Sequence, residues 1–74
     1  MQVSKNGQKQ SKVNINKANK EKLMTLPGVG EITALKIIEY RTQNGDYKSI
    51  EDLKKVAGIG DSKFNNLKEY VTVK

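Results

Sequence analysis

The feature that most constrains this chain is an internal repeat with a period of thirty residues. Leu23-Met-Thr-Leu-Pro-Gly-Val-Gly-Glu31 recurs as Leu53-Lys-Lys-Val-Ala-Gly-Ile-Gly-Asp61, and the match runs on through Ile37/Leu67, Glu39/Glu69 and Tyr40/Tyr70. Asn19 and Ser49 hold the same place at the start of each copy. A unit this short cannot bury its own apolar face, so two copies predict a pseudo-two-fold domain in which each covers the other. The 74 residues leave room for one such domain and no more.

Each copy reads as helix, tight turn, helix, giving an all-α fold of four to five short helices. Ser49 predicts an N-cap, with Asp52 completing a capping box, and Asn19 caps the first copy in the same way. The first helices should cover about 20–26 and 50–56, with Leu23/Leu26 and Leu53/Val56 at a spacing of three. Pro27-Gly-Val-Gly30 and Ala57-Gly-Ile-Gly60 must end them. Glu31 and Asp61 then open the second helices, where a carboxylate suits the helix dipole. In the first unit that helix presents Ala34, Leu35, Ile37 and Ile38 as a broad apolar face and ends at Asn44-Gly45. Its partner presents Phe64, Leu67 and Val71. Tyr47 lies in the connector and packs on the core. Val13-Asn-Ile-Asn16 and Val71-Thr-Val73 alternate apolar and polar, which suits two short extended ends lying side by side. The folded domain is expected over 13–74, preceded by a disordered basic tail or linker remnant over 1–12.

Composition narrows the chemistry. The chain has no cysteine and no histidine, so thiolate nucleophiles, Ser-His pairs and the commonest zinc ligands are absent, and no catalytic or metal-binding set is read. Glu51 and Asp52 belong to a helix first turn rather than to a metal. The formal charge of +6 points to an anionic partner. Half of that excess comes from Lys5, Lys9 and Lys12 in the tail. Lys36, Arg41, Lys54 and Lys55 are equally consistent with a solvated surface. Tyr40 and Tyr70 are better read as partial core than as base-stacking platforms. No apolar run is long enough to span a membrane.

The two Gly-apolar-Gly turns carry the functional reading. Glycine permits a sharp turn and the close approach of a foreign backbone. Each turn leads into a helix N-terminus, where free amides and the dipole favour phosphate. Val29 and Ile59, between the glycines, plug the turns into the core. Two such grips related by a pseudo-two-fold match the two antiparallel strands of a duplex.

Leu26-Pro-Gly-Val-Gly-Glu-Ile-Thr-Ala34, with Leu35, Ile37 and Ile38, resembles the helix-hairpin-helix consensus. The stretch from Val13-Asn-Ile-Asn-Lys-Ala18 through Asn44-Gly-Asp-Tyr-Lys-Ser-Ile-Glu-Asp-Leu53 to Gly58-Ile-Gly60 resembles the DNA-binding domain of the ComEA competence family. The resemblance covers 13–74. It implies a tandem helix-hairpin-helix fold that binds double-stranded DNA without base specificity and serves DNA uptake in transformation. It also implies a place at the extracytoplasmic face of a bacterial cell membrane. The membrane is reached only through an N-terminal anchor that these residues do not contain, so the chain reads as a trimmed fragment or a shorter relative. Carried over, the DNA-binding residues fall on Gly28, Val29, Gly30, Gly58, Ile59 and Gly60. Many relatives place a basic residue two positions after the second glycine. Ile32 and Ser62 stand there instead, with Ser62 still able to donate a hydroxyl. Thr33 and Lys63 follow one residue later, and Lys36 one turn on. The alternative is a structural or protein-interaction module that keeps the fold without binding DNA.

Overall fold

Asn19 opens the first helix as its short amide side chain predicts. Its Oδ1 accepts the amide of Lys22 at 2.9 Å, satisfying one of the donors that a helix start leaves free. In the computed structural model, which describes residues 12–74, this helix is α1, Lys20–Leu23. It is shorter than the predicted 20–26. Pro27 disfavours helical geometry at Leu26, and the chain tightens into turn bonds from Thr25 to Lys22 and from Leu26 to Leu23, both 3.1 Å. The tail expected over 1–12 lies, apart from Lys12, outside the described residues.

The long helix α2 spans Glu31–Asn44 and stops at Gly45, whose φ of 84° only glycine adopts without strain. Ala34 and Ile37 are buried and Ile38 half-buried, but Leu35 is 48% exposed and does not join the apolar face predicted for it. It sits about 100° around the helix from Ala34, beyond the stripe that the core covers. The connector leads to a 3₁₀ helix, Ile50–Lys55, in place of the predicted second short α-helix. The capping box fails there. Ser49 makes no side-chain cap bond, and Asp52 reaches past it to accept the amide of Lys48 at 3.1 Å. Helix α3, Asp61–Leu67, runs into a single 3₁₀ turn, Lys68–Tyr70. Val71 is buried as expected, yet as part of a strand rather than of the helix.

The extended ends do lie side by side. Strand β1, Val13–Asn14, pairs in parallel with β2, Val71–Thr72, in the register Val13–Val71 and Asn14–Thr72. The amide of Ile15 donates to the Thr72 carbonyl at 3.0 Å.

Burial repeats with the same period as the sequence. Leu23 and Leu53, Leu26 and Val56, Val29 and Ile59, Ala34 and Phe64, and Ile37 and Leu67 are buried pair by pair in one core. The molecule is therefore a small all-α tandem helix-hairpin-helix domain: three α-helices, two 3₁₀ helices and a minimal strand pair among the described residues.

Polar side chains sew the connector onto this core. Asn16 accepts the Tyr47 amide at 2.7 Å and donates to the Tyr47 carbonyl at 3.1 Å. Arg41 donates from Nη1 to the Ile15 carbonyl at 2.7 Å, so it is a tie within the fold rather than a free surface cation. Tyr47 is buried as predicted, donates its hydroxyl to the Ile37 carbonyl at 2.9 Å and stacks on Tyr40 with ring centres 5.0 Å apart. Burial pushes its phenol pKa well above the usual value, so the hydroxyl stays a donor across ordinary pH.

Two expectations follow for stability. Asn16→Ala leaves the Tyr47 amide without its partner and should cost about 1–3 kcal/mol, whereas Tyr47→Phe removes one neutral bond and should cost about 1 kcal/mol. Urea unfolding of the two variants checks the order, and a reversed order would mean that Asn16 is not the clamp. Asp52 is held below the usual carboxylate pKa, chiefly by the Lys48 amide. Its stabilising effect is complete above roughly pH 3.9, the ordinary aspartate value, and is lost as pH falls through the lower folded value. Asp52→Asn should therefore melt below the parent at neutral pH and converge with it in acid. A difference that persists unchanged in acid would assign the loss to something other than the charge.

Candidate nucleic-acid interface

The two turns are built alike. Gly28 has φ of 77° and Gly58 of 94°, the left-handed region that closes each corner. The next residues, Val29 and Ile59, turn inward and are 5% and 2% exposed. Their amides close each turn onto Leu26 and Val56 at 3.1 and 3.0 Å. Gly30 and Gly60 then take almost identical extended angles, φ −95° and −97° with ψ −169°, as the N-caps of α2 and α3. The carbonyls of these glycines accept from Ala34 and Phe64 at 2.9 Å. No side chain caps either helix. Among the described residues, the amides of Gly30 through Thr33 and of Gly60 through Lys63 have no partner in the protein. These are outward-facing donors at the positive ends of helix dipoles.

The acids at these helix starts do not stand alone. Glu31 pairs with Lys20 at 3.1 Å and Asp61 with Lys54 at 3.7 Å. In each unit a lysine of the first helix thus offsets the carboxylate that would otherwise repel an incoming anion. Such exposed pairs add little to stability; their effect here is on local potential. Lys54 also lies 5.0 Å from the Phe64 ring centre, and Lys55 pairs with Asp52 at 3.4 Å.

One open groove of about 760 Å³ joins the units. Pro27 and Gly28 of the first turn form one wall, and Gly60, Asp61, Ser62 and Lys63 form the other. Asn66 and Tyr70 continue that second wall. Of the residues singled out from the sequence, Gly28, Gly60, Ser62 and Lys63 are therefore brought together. Lys36 is not among them. It lines a separate groove with Tyr40, Lys55 and Ala57, where Lys36, Tyr40 and Ala57 hold the places that Asn66, Tyr70 and Pro27 hold in the first. Thr33 is half-buried in the first turn of α2. Asn66 and Tyr70 are groove residues that the turn motif does not indicate. The helical spacing of Lys63, Asn66 and Tyr70 along one face would have pointed to them. Tyr70 is 53% exposed, unlike its repeat mate Tyr40, which has Tyr47 to stack on.

No helix among the described residues is long and apolar enough to cross a membrane.

Comparison with known proteins adds the kinship. The family described as the helix-hairpin-helix motif matches residues 8–72. ComE operon protein 1 of Bacillus subtilis is 46% identical over 72 residues, which is 97% of this chain and 35% of that protein. Endonuclease/exonuclease/phosphatase family domain-containing protein 1 of mouse and of human are each 45% identical over 64 residues, 86% of this chain and 11% of theirs. The chain thus spans about a third of the bacterial relative and about a tenth of the vertebrate ones. The match across most of its length and the twin turns place the chain in the helix-hairpin-helix family, with a domain of the type found in ComE operon protein 1.

Proposed function

We propose that the two turns grip the phosphate backbones of double-stranded DNA without reading base sequence and without catalysing a reaction. The observation that carries this is the glycine at positions 30 and 60. Neither has a positive φ, and a Cβ built on either would meet nothing within 4 Å. Neither backbone angle nor packing requires glycine there. What glycine does is leave bare amides open to an outside group, at helix ends suited to an anion. The net charge of +6 agrees in sign. Backbone contacts of this kind position a protein but carry no base information.

The resemblance to the ComEA competence family extends the reading. The domain would receive incoming DNA at the extracytoplasmic face of a bacterial cell membrane, held by an anchor outside residues 13–74. The activity in the names of the vertebrate relatives is not carried over, because the chain matches only 11% of their length and has neither histidine nor cysteine. The alternative, a protein-interaction module, is favoured by Ile32 and Leu35, 71% and 48% exposed on α2.

A duplex titration decides between them. Affinity should lie at roughly 10⁻⁴–10⁻⁶ M at physiological salt, fall steeply as salt rises, and be indifferent to base composition. Absent or salt-independent binding would favour the interaction module. Glycine substitutions should separate grip from fold. Gly58→Ala forces a left-handed alanine and should cost about 1–2 kcal/mol. Gly60→Ala should change stability by less than about 1 kcal/mol, since a weaker N-cap is offset by a less flexible unfolded chain. It should nevertheless weaken duplex binding several-fold. Unchanged binding by Gly60→Ala and Gly30→Ala together would remove the turns from the interface.

A further inference from the structure

We propose that Lys63, although carried by the second unit, supplies the phosphate-binding cation of the first unit's turn. The proposal rests on the duplex-binding reading above and deepens it. A Cβ placed on Gly28 would lie 3.9 Å from Lys63 Cε, and apart from the glycine and its two chain neighbours no other atom comes within 4 Å of that point. The lysine therefore leaves the first turn of α3, crosses the groove between the units and passes over the opposite turn. Its side chain is half-buried, as expected of an aliphatic stem laid along a wall with a charged head carried to water. Lys63 is the one cation among the residues that line the groove. The acid in the same groove, Asp61, faces Lys54 instead, and among the described residues Lys63 makes no ion pair within 4 Å.

The crossing is not reciprocal at this position. The repeat mate of Lys63 is Thr33, too short to reach the second turn and without charge. Glycine at 28 closes the corner through its positive φ, and the lysine stem passes within van der Waals reach of the place a side chain would take there. One side chain couples the two grips, so the first turn loses its cation when the second unit is altered.

The test uses Lys63→Met, which keeps the aliphatic stem across Gly28 and removes the charge, with Lys63→Arg as the charge-retaining control. Both should melt like the parent. Each protein is titrated with a short mixed-sequence duplex while backbone amide shifts are followed by NMR. Lys63→Met should bind several-fold more weakly, with a salt slope lower by about one, and Lys63→Arg should bind close to the parent. The duplex-induced shifts of Gly28, Val29 and Gly30 should shrink more than those of Gly58, Ile59 and Gly60. Losses confined to Gly58–Gly60, or parental binding by Lys63→Met, would overturn the crossing while leaving duplex binding intact. If the parent itself shows no duplex-dependent shift at either turn, the duplex reading fails and the crossing falls with it.

Discussion

Val29 and Ile59 stand at the tips of two glycine-flanked turns, the part of any small domain with the least reason to hold still. Both are buried in the one core the units share. The hydrophobic cost of withdrawing either, about 1.5–3 kcal/mol for a side chain of this size, fixes the turns to the body of the fold. The amides of Gly30 and Gly60 are fixed with them, one residue away. Preorganised donors cost little ordering entropy when a ligand arrives. The rigidity of the proposed binding face is therefore a property of the core, and the core exists because neither repeat could bury its apolar stripe alone.

The same economy governs charge. Glu31 and Asp61 favour the helix starts they occupy, yet each lies beside a proposed phosphate site. Lys20 and Lys54 answer them from the preceding helices. Helix starts are thus stabilised without leaving uncompensated negative charge at the face that is proposed to bind an anion. One departure from symmetry bears on charge: Lys63 lines the groove between the units, whereas its repeat mate is the uncharged Thr33.

How far the sequence could be read follows from the range of each interaction. The thirty-residue period located the turns, the plugs and the paired core, because burial repeats at the apolar matches from Leu23/Leu53 to Ile37/Leu67. Helix type at 50–55 was not legible: an α-helix and a 3₁₀ helix place Leu53 inward equally well, and the expected box at Ser49 gave way to a bond from Lys48 to Asp52. Leu35 lies outside the core because an apolar residue at the edge of a stripe is assigned by the width of the core, which no local pattern states. The clamp made by Asn16 and Arg41 had no signal, since its bonds join side chains to backbone across 26 to 57 residues. The reach of Lys63 over Gly28 was hidden for the same reason. The helix it leaves was legible, but the wall it crosses to belongs to the other repeat.

The parallel pairing of β1 with β2 has a mechanical meaning. The chain enters at the start of one strand and departs from the end of the other, and the two strands point the same way. Tension applied to the two ends therefore drags the strands past each other lengthwise. All the bonds between them bear the load together and must fail together, whereas antiparallel ends would peel apart one bond at a time. Forced unfolding is governed by the rate of crossing such a barrier rather than by equilibrium stability. A domain of modest size thus closes its two ends with a shear clasp, and a pull along the chain meets that clasp before it reaches the turns.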